Sequence, residues 1–391
     1  MLSNHHVSMI KESAPVLAEK GEFITTRFYE QMFEAHPELL NIFNHRNQKQ
    51  GTQPKALRNT LYAAALNIEQ LETLVPVVKQ IAHKHRALQV LPEHYPIVGH
   101  YLLKAMKEEL GEDASDEWLE AWQEAYQVVA DIFIDAEKAL YKEVKQQPGG
   151  WSGFRTFVID QKQKESNEVT SFYLTPEDGG EIPTFLPGQY LTFQVQLPGE
   201  EHTHMRHYSL SDSPEKTYYR ISIKREDASN QEMPAGKVSN YLHDHIEEGD
   251  QLQVSAPAGV FTVDLTSDEP IALLGAGIGQ TPLMSMAKAA LSVNPERKVN
   301  FVYTVENEEN HALLEDMNHL DREYENFNAY IRYTHTEGRI KQEFLSSVVD
   351  GNTQKFYLCG PVSFTTDMKN DLLEKGVAEE NIEREQFKPS I

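Results

Sequence analysis

The spacing of apolar residues changes once along this chain, and the change falls at Gln147-Pro148-Gly149-Gly150. Before it, residues 8–35, 54–67, 70–86, 94–110 and 116–143 repeat apolar positions at helical spacing, as in Ile10, Val16, Phe23, Ile24, Phe28 and Met32. His36-Pro37 ends the first run, because the residue before a proline disfavours the helical region; a short element with Leu39, Leu40, Ile42 and Phe43 follows. After the linker, short β-rich runs at 154–159, 169–174, 190–195, 218–224 and 251–255 are separated by turns such as Pro187-Gly188 and Pro257-Ala258-Gly259. That texture predicts a small antiparallel barrel. From 270 onward, strands at 271–274, 299–305, 329–334 and 355–358 alternate with helical runs at 281–291, 308–319, 340–348 and 363–376, which predicts an α/β unit with a parallel sheet. The expected fold is multidomain: an all-α domain over 1–147, an antiparallel β-barrel over 151–264 and an α/β parallel-sheet domain over 265–391.

A chain of 391 residues can fill a core in each of these. Its 60 acidic and 36 basic residues leave a formal charge of -24, which excludes general nucleic-acid binding. Cys359 is the sole cysteine, so there is neither an intramolecular disulfide framework nor a Cys-rich metal motif. No stretch reaches the roughly 18 apolar residues of a membrane span, and the first turns carry His5, His6, Lys11 and Glu12 where a signal peptide would be apolar. A cytoplasmic monomer without stable membrane insertion is the expectation.

Within the helical part, His83 and His85 lie two apart and face different directions on a helix, so only one of them can reach a bound metal or haem. Spacing does not choose between them. A haem that binds small gases needs one strong axial nitrogen and an open, selectively polar pocket opposite. This region resembles a globin, and the whole chain resembles a bacterial flavohaemoglobin. The resemblance implies that His85 is the proximal ligand of haem b iron, with Tyr95 and Glu137 behind it. It places Tyr29 and Gln53 in the distal pocket, Leu57 over the bound ligand and Phe43 against the haem plane. Lys84 would sit near the haem edge and meet an acid or flavin-side group across the domain boundary. Chemically, Tyr29 offers an O–H donor to dioxygen with Gln53 as a second donor, while a carboxylate behind the proximal imidazole strengthens donation to iron.

In the barrel, Pro187-Gly188-Gln189-Tyr190, then Arg206-His207-Tyr208-Ser209, resemble the FAD pattern of the ferredoxin-reductase family. The resemblance implies that Tyr208 and Ser209 approach the isoalloxazine and that Tyr190 packs on another part of FAD. Arg206 would meet the pyrophosphate with its planar guanidinium. Gly236-Lys237-Val238-Ser239 resembles the later turn that offers backbone N–H groups and a hydroxyl.

In the last domain, Gly275, Gly277 and Gly279 follow an apolar strand and precede a helix, but Gln280 stands where the strict dinucleotide fingerprint has glycine. The segment instead resembles the reductase family's Gly-x-Gly-x-Gly-Gln-Thr-Pro, in which glycines admit a pyrophosphate, Thr281 can donate its hydroxyl and Pro282 begins the helix. By the same resemblance, Cys359-Gly360-Pro361 lies beside the nicotinamide in a positioning role, with no covalent catalysis. Glu385 approaches the flavin and Phe387 covers its ring. Gln386 and Lys388 depart from the family's usual cysteine and glycine. The acidic run Val305-Glu306-Asn307-Glu308-Glu309 favours NADH over NADPH, although Arg332 nearby would admit both.

The resemblance thus implies a nitric oxide dioxygenase: NAD(P)H reduces FAD, FAD reduces haem one electron at a time, and dioxygen held at the haem oxidises nitric oxide to nitrate. A lipid in the apolar distal pocket is compatible with it. The rival readings are a flavin reductase with an external acceptor and a haem sensor domain, and a nonenzymatic oxygen or nitric-oxide binder.

Overall fold

Pro15 divides the first helical run. Its ring has no N–H and is tolerated only in a first turn, so Asn4–Glu12 (α1) stops at Ser13 and Ala14–Ala35 (α2) starts anew, where the sequence suggested one run over 8–35. The structure, a computed structural model, describes residues 2–43, 52–70, 75–228, 235–348 and 355–387. The start of the expected 70–86 run, at 71–74, and Lys388 lie outside them. Among the described residues four further α-helices follow: Thr52–Leu66 (α3), Val75–Ala87 (α4), His94–Leu110 (α5) and Asp116–Gln146 (α6). Leu17, Ile24, Phe28 and Met32 of α2 pack with Leu102 and Met106 of α5 and Trp118 and Trp122 of α6. Each fully buried Leu or Phe contributes about 1.5–3 kcal/mol of transfer free energy. Gly21 lets α2 and α3 approach, since a Cβ there would lie 2.7 Å from Arg58 Cγ.

The chain forms two compact units: Met1–Gln146 with Val195–Met205, and Gln147–Gln194 with Arg206–Ile391. The antiparallel sheet contains Phe154–Lys164 (β1), Val169–Pro176 (β2), Tyr190–Val195 (β3), His204–Ser209 (β4), Tyr219–Lys224 (β5) and Gln251–Ser255 (β6), in the order β4-β3-β6-β1-β2-β5. A bridge between Leu210, just past β4, and Ile221 of β5 joins the two edges, so the sheet closes into the expected barrel. Lys237–His245 is a helix (α7) that the sequence reading took only as a turn.

A second sheet of Ile271–Ala276 (β7), Val299–Val305 (β8), Phe327–Tyr333 (β9), Lys355–Gly360 (β10) and Ile382–Gln386 (β11) is parallel throughout, in the order β11-β10-β7-β8-β9. All six residues of central β7 are buried, which explains its unbroken apolar run. Gln280–Val293 (α8), Leu314–Glu323 (α9), Gln342–Val348 (α10) and Val362–Glu374 (α11) connect the strands. Helix α9 starts later than the expected 308–319 because Leu313 is left-handed, with φ 54°. Edge strand β11 is almost wholly polar and carries no apolar alternation to reveal it. Chain order reverses on either side of β7, between β10 and β8, which leaves a ligand crevice at the carboxyl ends of these strands. Among the described residues no helix is long and apolar enough to cross a membrane.

Candidate haem, flavin and nicotinamide sites

His85 sits in the last turn of α4, and the backbone beyond it is fixed by Gln89, a left-handed residue (φ 62°) whose side-chain amide donates to the Arg86 carbonyl at 2.9 Å. Tyr141 of α6 donates its hydroxyl to the Val90 carbonyl at 3.1 Å. The ring of His85 is held at Nδ1, 2.7 Å from Glu137 Oε1 and 3.3 Å from the Tyr95 hydroxyl. Tyr95 donates to the same Glu137 oxygen at 2.6 Å. Burial, and then the adjacent Glu137 carboxylate, push the Tyr95 phenol upward, so it stays a donor. With Nδ1 committed, Nε2 is the nitrogen left for a metal. Glu137 is 2% exposed and its Oε2 has no partner among the described residues, which is the chemistry of a carboxylate serving an imidazole that gains charge. Tyr126 donates to the Tyr95 carbonyl at 2.6 Å, and it reaches because Gly99 has no Cβ; one there would lie 2.5 Å from the Tyr126 ring. His83 is pulled down to about 4 by burial and by the charges of Arg86 and Lys79, so it stays neutral. Lys84 is exposed.

Tyr29 is 7% exposed, stacked on Phe33 at 5.7 Å and edge-on to Phe43 at 5.9 Å. Burial raises its phenol well above the usual value and a side-chain hydrogen bond with Gln53 partly offsets this. Phe43 and Leu57 pack on the same core. Tyr29 and Gln53 thus set a phenol and an amide beside the apolar rings of Phe33 and Phe43, which suits a haem that binds a small polarised gas.

In the barrel, neighbours on β4 point to opposite faces. His207 packs on Tyr190, with ring centres 4.7 Å apart, and its Nδ1 lies 2.7 Å from the Thr192 hydroxyl. Tyr208 meets Phe193 edge-on at 5.4 Å, and burial raises its phenol while Arg206 lowers it. The expected flavin residues are thus split between two faces of one strand. Gly236 caps α7, and a Cβ there would lie 2.6 Å from Ser239 Oγ, so the turn at Lys237, Val238 and Ser239 is a close cradle of N–H groups suited to a pyrophosphate.

The crevice beyond β7 and β10 is a cavity of about 280 Å³ whose walls include Gly277, Tyr303, Glu306, Arg339 and Pro361. Gly277 has φ 53°, and a Cβ on Gly279 would lie 2.3 Å from the Cys359 carbonyl oxygen, so two of the three turn glycines are required by geometry. Gly275 is on β7, where a Cβ would lie 3.0 Å from Leu283. The Thr281 hydroxyl donates to the Ile278 carbonyl at 3.0 Å, and the Gln280 amide donates to the Ala312 carbonyl at 2.8 Å, so both side chains brace the turn. Pro282 is buried in the first turn of α8. Cys359 is fully buried, and burial and then Glu385 raise its thiol well above the usual value. Gly360, at φ 149°, lies against Ala276. The Phe387 N–H donates to the Gly360 carbonyl at 3.0 Å, and Gln386 reaches Thr365 of α11 at 3.2 Å. Arg332 donates to the carbonyls of Glu337 and Gly338 and lies 5.3 Å over the Phe344 ring. The sequence reading missed Tyr303, whose hydroxyl donates to the Gly277 carbonyl at 3.1 Å; the available signal was a tyrosine in a fully buried strand, which needs a polar partner.

Fold and sites define a class: a globin joined to a flavin- and nicotinamide-dependent reductase. The Globin family matches residues 26–133, the Oxidoreductase FAD-binding domain family 156–263 and the Oxidoreductase NAD-binding domain family 273–370. The flavohemoprotein of Bacillus cereus is 49% identical, over 100% of this chain and 99% of its own length. Flavohemoprotein A of Dictyostelium discoideum is 47% identical over 99% and 98%. The crystal structure of a Malassezia yamatoensis flavohemoglobin with bound FAD and heme superposes with a TM-score of 0.87 at 26% identity, covering 99% of this chain and 100% of that one. The chain belongs to the flavohemoproteins, or flavohaemoglobins. It is an oxidoreductase built for haem b, FAD and NAD(P)H, with electrons passing from the nicotinamide through FAD to haem.

Proposed function

We propose that this flavohaemoglobin is an NAD(P)H-driven nitric oxide dioxygenase that converts nitric oxide and dioxygen to nitrate, with His85 as the axial ligand and Tyr29 and Gln53 as the distal donors. When bound, haem supplies gas binding and one-electron chemistry, FAD the conversion of a hydride into single electrons, and the nicotinamide that hydride. The observation that carries the reading is the His85–Glu137–Tyr95 cluster: a buried carboxylate behind the axial imidazole favours oxygen activation over passive storage. Tyr29 and Gln53 hold charge that develops on dioxygen, while Phe33, Phe43 and Leu57 keep water out. Arg206, Lys237 and Ser239 bind the flavin pyrophosphate, Tyr208 and Ser209 its ring, Tyr190 another part of FAD, and the Gly275–Gly279 turn with Gly360 and Pro361 the nicotinamide. Glu306 in the cavity wall and an Arg332 engaged with its own loop favour NADH, while Arg339 and Lys224 in the same wall leave NADPH a cation to meet its extra phosphate. We also assign a fatty acyl chain as a second occupant of the apolar distal wall, and cytoplasmic, monomeric operation on the NADH pool.

The test is anaerobic mixing of the holoprotein with NADH, followed by addition of oxygen and nitric oxide, with flavin and Soret spectra recorded and nitrate assayed. Repeated haem reduction with nitrate formed in step with nitric oxide consumed supports the reading. Flavin reduction that never reaches the haem would favour the external-acceptor reductase.

A further inference from the structure

Four charged side chains that no cofactor site uses are gathered where the barrel meets the nucleotide lobe. Asp212 (5% exposed) and Arg220 (4%) belong to the barrel, Lys288 and Asp316 to α8 and α9. Lys288 Nζ lies 2.8 Å from Asp212 Oδ1 and 2.5 Å from Asp316 Oδ1. Arg220 Nη2 lies 2.7 Å from Asp316 Oδ2, and its Nε 3.9 Å from Asp212 Oδ2. Each acid therefore meets one cation from each lobe, and the four charges form a neutral ring across the seam. Neutral groups complete it: Tyr218 donates to Asp212 Oδ2 at 3.0 Å, and Ser285 of α8 donates to the Asp212 carbonyl at 2.7 Å.

Such a ring is a poor device for stability alone. Desolvating four charges offsets much of their attraction, and apolar side chains of similar volume would hold the seam as well. What the ring does supply is register, because a small slip leaves a buried charge unpaired. Its place in the chain says which register. Asp212 follows closely on Arg206–Ser209, the strand assigned to the flavin, at the seam where Ser211 and Arg220 close the barrel. Ser285 and Lys288 ride on α8, whose first turn continues the glycine turn of the nicotinamide crevice.

We propose that Asp212 and Lys288, held by Arg220 and Asp316, are positioning residues for hydride transfer, locking the nicotinamide crevice in register with the flavin strand. This rests on the flavin and nicotinamide sites proposed above. The step served moves one hydride, with both its electrons, from C4 of dihydronicotinamide to N5 of flavin, oxidising the first and reducing the second.

The test uses the full-length holoprotein and the variants Asp212→Asn, Lys288→Met and Lys288→Arg. Four quantities are read: the limiting rate of anaerobic flavin reduction, the NADH dissociation constant, the primary deuterium isotope effect and amide hydrogen exchange along α8. The expected result for Asp212→Asn and Lys288→Met is a limiting rate down roughly 10- to 100-fold, with FAD content and NADH affinity nearly unchanged, an altered isotope effect and faster exchange in the first turns of α8. Lys288→Arg, which keeps the charge, should recover most of the rate. Unchanged limiting rates in the variants would overturn the proposal alone. So would losses of rate that merely track lost FAD or a lower melting temperature. A parent protein that takes no hydride from NADH would overturn the assignment of the two sites as well, and the two failures are told apart by that control.

Discussion

Glu137 Oε1 accepts at once from the Tyr95 hydroxyl, at 2.6 Å, and lies 2.7 Å from His85 Nδ1, so one buried carboxylate oxygen sets both the tautomer and the direction of the imidazole. The Glu137→Gln variant keeps the shape and removes the charge. Oxygen-dependent turnover should fall by about 10- to 100-fold, the range typical for groups that orient a metal ligand. Resonance Raman should show a lower iron–imidazole stretching frequency in the ferrous protein. An unshifted frequency would mean that Glu137 only packs.

Tyr29 is the phenol assigned to the distal side of the haem. Tyr29→Phe keeps the ring stacked on Phe33 and deletes the donor, so dioxygen should dissociate faster by roughly 100-fold, the scale for losing one donor to a developing anion. Flash photolysis of the oxygen complex measures it; flavin reduction by NADH should not change.

Gly279→Ala places a methyl where the Cys359 carbonyl oxygen lies 2.3 Å away, and that oxygen belongs to the backbone of interior strand β10. The lobe has to shift, at a cost of about 1–3 kcal/mol, as in other overpacked sites. Calorimetric titration should show NADH binding weakened, while the Soret band of the globin stays as it was.

His311 is 2% exposed, packed at a tilt against the Tyr303 ring with centres 5.0 Å apart, and pulled down to about 4 by burial. An imidazole that resists protonation only when folded stabilises the fold fully above its ordinary value, and this is lost as pH falls toward the folded value. Between pH 7 and pH 5 the loss amounts to about 2 kcal/mol. Urea unfolding of the reductase unit, followed by flavin fluorescence, should show that acid sensitivity. A His311→Phe variant should lack most of it; equal pH dependence in both proteins would contradict the assignment.

Much of this was legible in the sequence. The barrel and the parallel sheet follow from turn chemistry and apolar runs such as Ile271–Leu274, because both are local signals. Pro15 carried the break between α1 and α2, but its effect depends on whether the chain can start a new helix there. The choice between His83 and His85 was not local: it rests on Glu137, which lies on another helix and whose spacing to His85 carries no pattern. Polar β11 and short α7 were invisible because neighbours, not propensity, order them. The bracing of the glycine turn by the Thr281 hydroxyl on the Ile278 carbonyl has no local pattern to show it. The Asp212–Lys288 ring escaped altogether, since single charges far apart in sequence look like solvated surface.

The central claim is that electrons from NADH let this chain place both atoms of one dioxygen molecule into nitrate. The direct measurement supplies isotopically heavy dioxygen, ordinary water, nitric oxide and NADH to the holoprotein and weighs the nitrate formed. Nitrate carrying both heavy atoms, formed twice for each NADH oxidised, is the expected result. Nitrate without the label, or NADH oxidised with nitric oxide left intact, would contradict it.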